Sequence, residues 1–226
     1  MREIIFDTET TGLDPQRGDR MVEIGCIEMV NRVATGRTFH AYFNPERNMP
    51  AEAEAVHGLS EVFLADKPRF AERAAELIAF IEDSPLIAHN AGFDFGFLNA
   101  EMTICGLEIV SRDRMVDTVA IARTRHPGAK LSLDALCTRY GIDRSHRTKH
   151  GALLDAELLA QVYVELRGGR QIGLELAADR REELVTVMTV RTDRVFRPAR
   201  PHAASEAELA AHATFLETLK APLWST

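Results

Sequence analysis

Cysteine is scarce: Cys26, Cys105 and Cys137 are the only three in 226 residues, none belongs to a Cys-x-x-Cys pair, and each sits among apolar residues. An odd number without that pairing excludes a disulfide framework and a thiolate zinc site, and assigns the three to the core. Long apolar runs are also absent. Nothing approaches the roughly 18 uninterrupted residues of a membrane span, and Met1-Arg2-Glu3-Ile4-Ile5-Phe6-Asp7 reaches an acid before a signal-peptide core could form. The expectation is a cytoplasmic protein with no membrane partner. Basic charge is in deficit, with 27 Lys and Arg against 34 Asp and Glu, and the whole acidic excess falls within residues 1–167. That balance excludes a protein that coats nucleic acid with a basic surface. It leaves room for an enzyme that reaches a strand end through cations held by carboxylates. What is present, 46% hydrophobic and 27% charged residues, is the make-up of a folded globular chain. The length suits one domain of roughly 150–200 residues with an extension.

Hydrophobic periodicity predicts buried strands at Arg2–Phe6, Met21–Val30 and Thr38–Phe43, the last two joined as an antiparallel hairpin by turn residues Asn31 to Gly36. A helix is expected over Pro68–Ile81, then a short strand at Leu86–Ala88 and a helix from about Asp94 to Cys105. Further helical patterns cover Asp117–Arg125, Ser132–Tyr140 and Gly151–Leu166, the last with Leu154, Leu158, Val162 and Leu166 on one stripe. Three strands followed by alternating helix and strand predict an α/β domain with a mixed sheet flanked by helices. The Gly168-Gly169 pair closes this domain. Residues 1–167 therefore read as the domain, 168–204 as a linker, and 205–226 as a tail in which Ser205 and Glu208 form a capping box for a short helix.

Three acidic segments carry the chemistry. In Asp7-Thr8-Glu9 the two carboxylates share one face of a strand end, where they can hold a hard divalent ion; the same short pattern also occurs at solvated strand ends. In His89-Asn90-Ala91-Gly92-Phe93-Asp94 a buried strand delivers Asp94 near a helix start, a place an acid also favours for the helix dipole alone. In His150-Gly151-Ala152-Leu153-Leu154-Asp155 a five-residue spacing would put the two side chains about 140° apart on one helix. If Gly151 begins the helix, His150 lies on the preceding loop and can swing toward Asp155.

Taken together, the three segments resemble the DEDDh family of metal-dependent 3′–5′ exonucleases. Thr10-Thr11-Gly12-Leu13, Val56-His57-Gly58-Leu59 and Ala65-Asp66-Lys67-Pro68-x-Phe70 extend the likeness across nearly all of residues 1–167. The resemblance implies an RNase H-like fold and two divalent ions, Mg2+ or Mn2+. It implies ligands Asp7, Glu9, Asp94 and Asp155, with His150 as general base. Thr10, Thr11, His57, Asn90 and Phe93 would then surround the 3′ end of a single-stranded or frayed DNA, although Phe93 equally suits core packing.

The tail adds a narrower likeness. Glu208-Leu209-Ala210-Ala211-His212 and Leu223-Trp224 are similar to the end of those family members that proofread for bacterial replicative DNA polymerases. This implies a nucleoid-associated protein tethered to the polymerase catalytic subunit through apolar tail residues such as Phe215 and Trp224. Gln171-Ile172-Gly173-Leu174-Glu175-Leu176 resembles a sliding-clamp peptide, with Gln171, Leu174 and Leu176 as its anchors. The same period-2 pattern suits a strand packed back on the domain. The competing functions are a stand-alone DEDDh exoribonuclease, which has no evident use for the tail, and a non-catalytic adaptor between polymerase and clamp, which needs no such acidic set.

Overall fold

The computed structural model describes residues 1–145, 149–169 and 203–218. Chain contacts divide it into two units, Met1–Leu174 and Glu175–Thr226.

In the first unit, strands β1 (Arg2–Thr10), β2 (Met21–Val30) and β3 (Val33–Tyr42) lead into helices α1 (Ala51–His57), α2 (Glu61–Leu64) and α3 (Phe70–Ile81). Then come β4 (Leu86–Ala88), α4 (Ala91–Ile104), β5 (Met115–Asp117), α5 (Thr118–Arg125), α6 (Leu133–Tyr140) and α7 (Ala152–Leu166). The five strands form one sheet in the order β3-β2-β1-β4-β5. β2 runs antiparallel to β1 and β3, while β4 runs parallel to β1 and β5. The mixed sheet flanked by helices is the expected architecture.

Alternation along β1 divides the core. Ile4 and Phe6 point to one face, where they meet Leu77, Phe95, Leu98 and Met102 of α3 and α4. Ile5 points to the other, against Ala156, Leu159 and Tyr163 of α7. A strand buried on both faces reads as a continuous apolar run, which is what Ile4-Ile5-Phe6 is. The expected stripe on α7 proves to be its second face. Leu158, Val162 and Leu166 pack on Ala122 of α5 and on Leu136 and Cys137 of α6, so α7 is buried between the sheet and the α5–α6 pair.

Several boundaries differ from expectation, each for a local reason. The β2–β3 turn is shorter, because Asn31 and Arg32 both take positive φ, 51° and 65°, as a two-residue hairpin turn demands. Val33 then pairs with Val30, and β3 starts earlier. Helix α4 starts at Ala91, with Asn90 left-handed at its N-cap, which places Asp94 inside the first turn. The expected α3 start moves from Pro68 to Phe70, where Glu72 reaches back to the Arg69 backbone. Helices α1 and α2 and strand β5 escape prediction because they are short, and Ala51-Glu52-Ala53-Glu54-Ala55 in α1 has no large apolar stripe. None of the three cysteines forms a disulfide; Cys26 and Cys137 are buried and Cys105 partly so.

In the second unit, helix α8 (Glu206–Glu217) carries the expected capping box. The Ser205 hydroxyl accepts from the Glu208 N–H at 3.3 Å, and Glu208 accepts from the Ser205 N–H at 2.8 Å. Leu209 and Phe215 are more than half exposed. Gln171, Leu174, Leu176, Leu219 and Trp224 lie outside the described residues. Among the described residues, no helix is long and apolar enough to cross a membrane.

Candidate active site

Asp7 and Glu9 sit near the end of β1 on the same side as Ile5, and therefore face α7. Asp155 stands in the first turn of α7, one turn before Leu159, on the stripe that packs against the sheet. Strand and helix thus deliver three carboxylates to one place. His150, on the loop just before α7, brings Nδ1 to 3.2 Å from Asp155 Oδ2. Donor atoms of Glu9, His150 and Asp155 all lie within 4.8 Å of one another. The loop geometry expected for His150 is observed.

This convergence depends on Gly25, which sequence reasoning missed. Gly25 pairs with Asp7 across the β1–β2 ladder, and the start of α7 rests directly on it. A Cβ at position 25 would come within 2.3 Å of the Leu153 backbone nitrogen and 2.4 Å of the Leu153 Cα. Backbone cannot rotate away, so the helix would have to move. Gly25→Ala should lower stability by about 1–3 kcal/mol through overpacking and reduce activity by displacing Asp155. Thermal unfolding and an exonuclease assay on the same sample check both, and a variant with wild-type stability and rate would refute the contact.

Asp94 arrives from the opposite side, in the first turn of α4. The Thr8 hydroxyl donates to Asp94 Oδ1 at 2.8 Å, and Thr8 is likewise unremarked in the sequence motif. Helix α4 is itself anchored to the start of β2. The Arg20 guanidinium forks onto the buried Glu101 carboxylate, Nε at 2.7 Å and Nη2 at 2.8 Å, a bidentate geometry that fixes orientation as well as distance.

The electrostatics of this cluster are strained. Burial raises the Asp7 carboxyl well above the usual carboxylate range, and Asp94, Glu9, Asp155 and Glu23 push it further. Burial also raises Asp94, against the opposing hydrogen bond from Thr8. Four acidic side chains gathered at low dielectric are a poor arrangement for a protein alone and a good one for a hard cation, which prefers oxygen donors. The residues present therefore fit divalent metal.

Beside the carboxylates, a cavity of about 530 Å3 is lined by Thr10, Thr11, Leu13, Val56, His57 and Phe93 among others. The backbone N–H of Thr11 is already bonded to the Arg20 carbonyl at 2.9 Å, and the Thr10 hydroxyl donates to the Gly12 carbonyl at 2.6 Å. Both residues line the wall of the cavity. His57 is buried, and its Nδ1 accepts from the Leu59 N–H at 3.0 Å, which holds the ring proton on Nε2. Burial lowers its pKa, against the opposing hydrogen bond of the ring with the Thr10 backbone. Phe93 lines the cavity and also packs at the core edge, its ring centroid 4.9 Å from that of Phe97. Asn90 is exposed, does not line the cavity, and has its backbone N–H bonded to Asp117 Oδ1 at 3.1 Å.

Comparison with known proteins agrees with this geometry. An exonuclease family model matches residues 4–163. DNA polymerase III subunit epsilon of Rickettsia typhi is 48% identical over 224 residues, covering 97% of each chain. The Escherichia coli K12 subunit epsilon is 40% identical over 227 residues, covering 97% of this chain and 93% of its own. Among solved structures, the nuclease domain of the DEDDh family member 3′hExo, bound to rAMP, superposes with a TM-score of 0.64 at 16% identity, covering 74% of this chain and 91% of that one. Exonuclease X in complex with 5′ overhanging duplex DNA gives a TM-score of 0.55 at 24% identity, covering 72% and 89%.

Proposed function

The chain belongs to the exonuclease family, and from that premise we propose that it is the proofreading 3′–5′ exonuclease of a bacterial replicative DNA polymerase. It removes mispaired nucleotides from the 3′ end of DNA by metal-dependent hydrolysis. One observation carries the proofreading role beyond the family: likeness to the Rickettsia typhi polymerase subunit runs through 97% of both chains, so it extends past the nuclease domain and into the tail. A stand-alone ribonuclease or a silent adaptor accounts for only part of that match.

Two divalent ions, Mg2+ or Mn2+, when bound supply charge neutralisation at the phosphate, an acidified water and stabilisation of the departing 3′ oxygen. Asp7, Glu9, Asp155 and Asp94 are the residues that would hold them. The pairing of His150 Nδ1 with Asp155 keeps the ring proton on Nδ1, which leaves Nε2 as the basic nitrogen that takes the proton of the attacking water. The cavity beside the carboxylates receives the terminal nucleotide. Leu13 and Val56 offer apolar surface to its base, and the Nε2–H of His57 offers a donor at the cavity wall. Phe93 closes the far wall.

The tail serves as the tether. Leu209 and Phe215 of α8 give an apolar surface to a polymerase subunit, with Trp224 as a further anchor. Gln171, Leu174 and Leu176 are proposed as the clamp-docking peptide. A 5′-labelled oligonucleotide with a mispaired 3′ end should shorten only with added Mg2+ or Mn2+, faster than its paired counterpart and faster than RNA. Deleting residues 190–226 should spare hydrolysis of single strands while abolishing co-migration with the polymerase catalytic subunit on gel filtration. A preference for RNA, or co-migration that survives the deletion, would overturn the assignment.

A further inference from the structure

His150, the general base of the reading above, is bonded through its backbone to a residue of the cavity wall as well as lying beside the carboxylates. Helix α1 forms one wall of that cavity through Val56 and His57, and it ends at Gly58, whose φ of +78° turns the chain away. Two contacts join this turn to the loop before α7. The His150 backbone N–H donates to the Val56 carbonyl at 3.4 Å, and the Lys149 side chain lies across Gly58. A Cβ at position 58 would come within 2.6 Å of Lys149 Cδ, 2.8 Å of Nζ and 3.2 Å of Cε. The lysine stem therefore occupies the space that only glycine leaves open. On its other side, His150 is held by Asp155, but its side chain remains about half exposed at 48%.

We propose that Gly58 and Lys149 are positioning residues, and that the lysine stem seated on the glycine sets the base-bearing residue against the cavity wall. The proposal rests on the functional reading above and adds to it a link between pocket and base. Val56 and His57 belong both to the nucleotide wall and to the turn on which Lys149 and His150 rest. A terminal nucleotide that fits the cavity keeps the turn in place, and with it the imidazole. The stem does this by packing, as long cationic side chains do along a surface while their charge stays in water. The ammonium itself is not required.

Single-turnover and steady-state hydrolysis of a 5′-labelled single strand, with full-length protein and Mg2+, test this. Lys149→Ala should lower kcat by roughly tenfold, since small misplacements of a reacting group reduce rates by up to about 100-fold, with KM for the strand unchanged. Lys149→Met, which keeps the stem, should restore most of kcat. Gly58→Ala should lower kcat in the wild-type background and by less in the Lys149→Ala background, where only the strain of a left-handed alanine remains, the non-additivity expected of one shared contact. Circular dichroism and thermal unfolding establish that each variant folds. The idea fails if Lys149→Ala turns over normally, if Lys149→Met is as impaired as Lys149→Ala, or if the loss appears in KM alone, which would make Lys149 a phosphate contact. Wild-type protein inactive on the strand would sink the functional reading itself, a result distinguishable because it needs no variant.

Discussion

Asp7→Asn should abolish hydrolysis, by roughly 10³-fold or more given the electrostatic work asked of one such group, and should at the same time make the metal-free protein more stable. The two effects have one cause. Burial first, then the charges of Asp94, Glu9, Asp155 and Glu23, hold the Asp7 carboxyl far above its ordinary value, so the folded chain binds that proton more tightly than the unfolded chain does. Such a group contributes stability that is fully present below its unfolded value, near pH 4, and lost as pH rises through the raised one. Asp94 is shifted in the same direction. Metal-free wild type should therefore melt at a lower temperature near pH ~8 than near pH ~5 by more than the Asn variant does. Added Mg2+ should recover wild-type stability at the higher pH through mass action and leave Asp7→Asn almost unchanged. Asp155→Ala should likewise be inactive. Activity within tenfold of wild type in either variant, or an equal Mg2+ response in wild type and Asp7→Asn, would remove these carboxylates from the metal site.

Why so much of this site was legible follows from what each part depends on. The acids announce themselves because strand alternation alone brings Asp7 and Glu9 to one face. His150 could be separated from Asp155 because a helix forbids a shared face at that spacing. What stayed hidden depends on packing between segments distant in sequence. Nothing in Glu23-Ile24-Gly25-Cys26 says that the backbone of α7 lies on Gly25, and an interior strand glycine reads as a weakness rather than as a seat for a helix. Thr8, facing away from Asp7 along the strand, becomes an Asp94 partner only once α4 packs on that side. The α7 stripe is legible as apolar, but its packing on α5 and α6 is not, since periodicity tells that a face is buried and not by what. Likewise nothing in the type of Asn90 says that its left-handed backbone starts α4.

His150→Ala separates two chemistries that the geometry alone brings close together. The imidazole lies within 4.8 Å of Glu9 and Asp155 donors, near enough to be taken for a third ligand. Its residue precedes the helix, its side chain is half exposed, and its Nδ1 is turned to the Asp155 carboxylate. That is the arrangement of a base oriented by an acid, and hard divalent ions favour an all-oxygen set. On this reading His150→Ala lowers turnover by about 10²-fold or more. Metal affinity, read from the concentration of Mn2+ that gives half-maximal thermal stabilisation, stays within a few-fold of wild type, and DNA affinity in Ca2+ is retained. An external base such as imidazole then restores part of the rate, because only the proton acceptor is missing. Were His150 a ligand, the variant would lose Mn2+ affinity by tenfold or more, and its rate would recover with added metal rather than with imidazole.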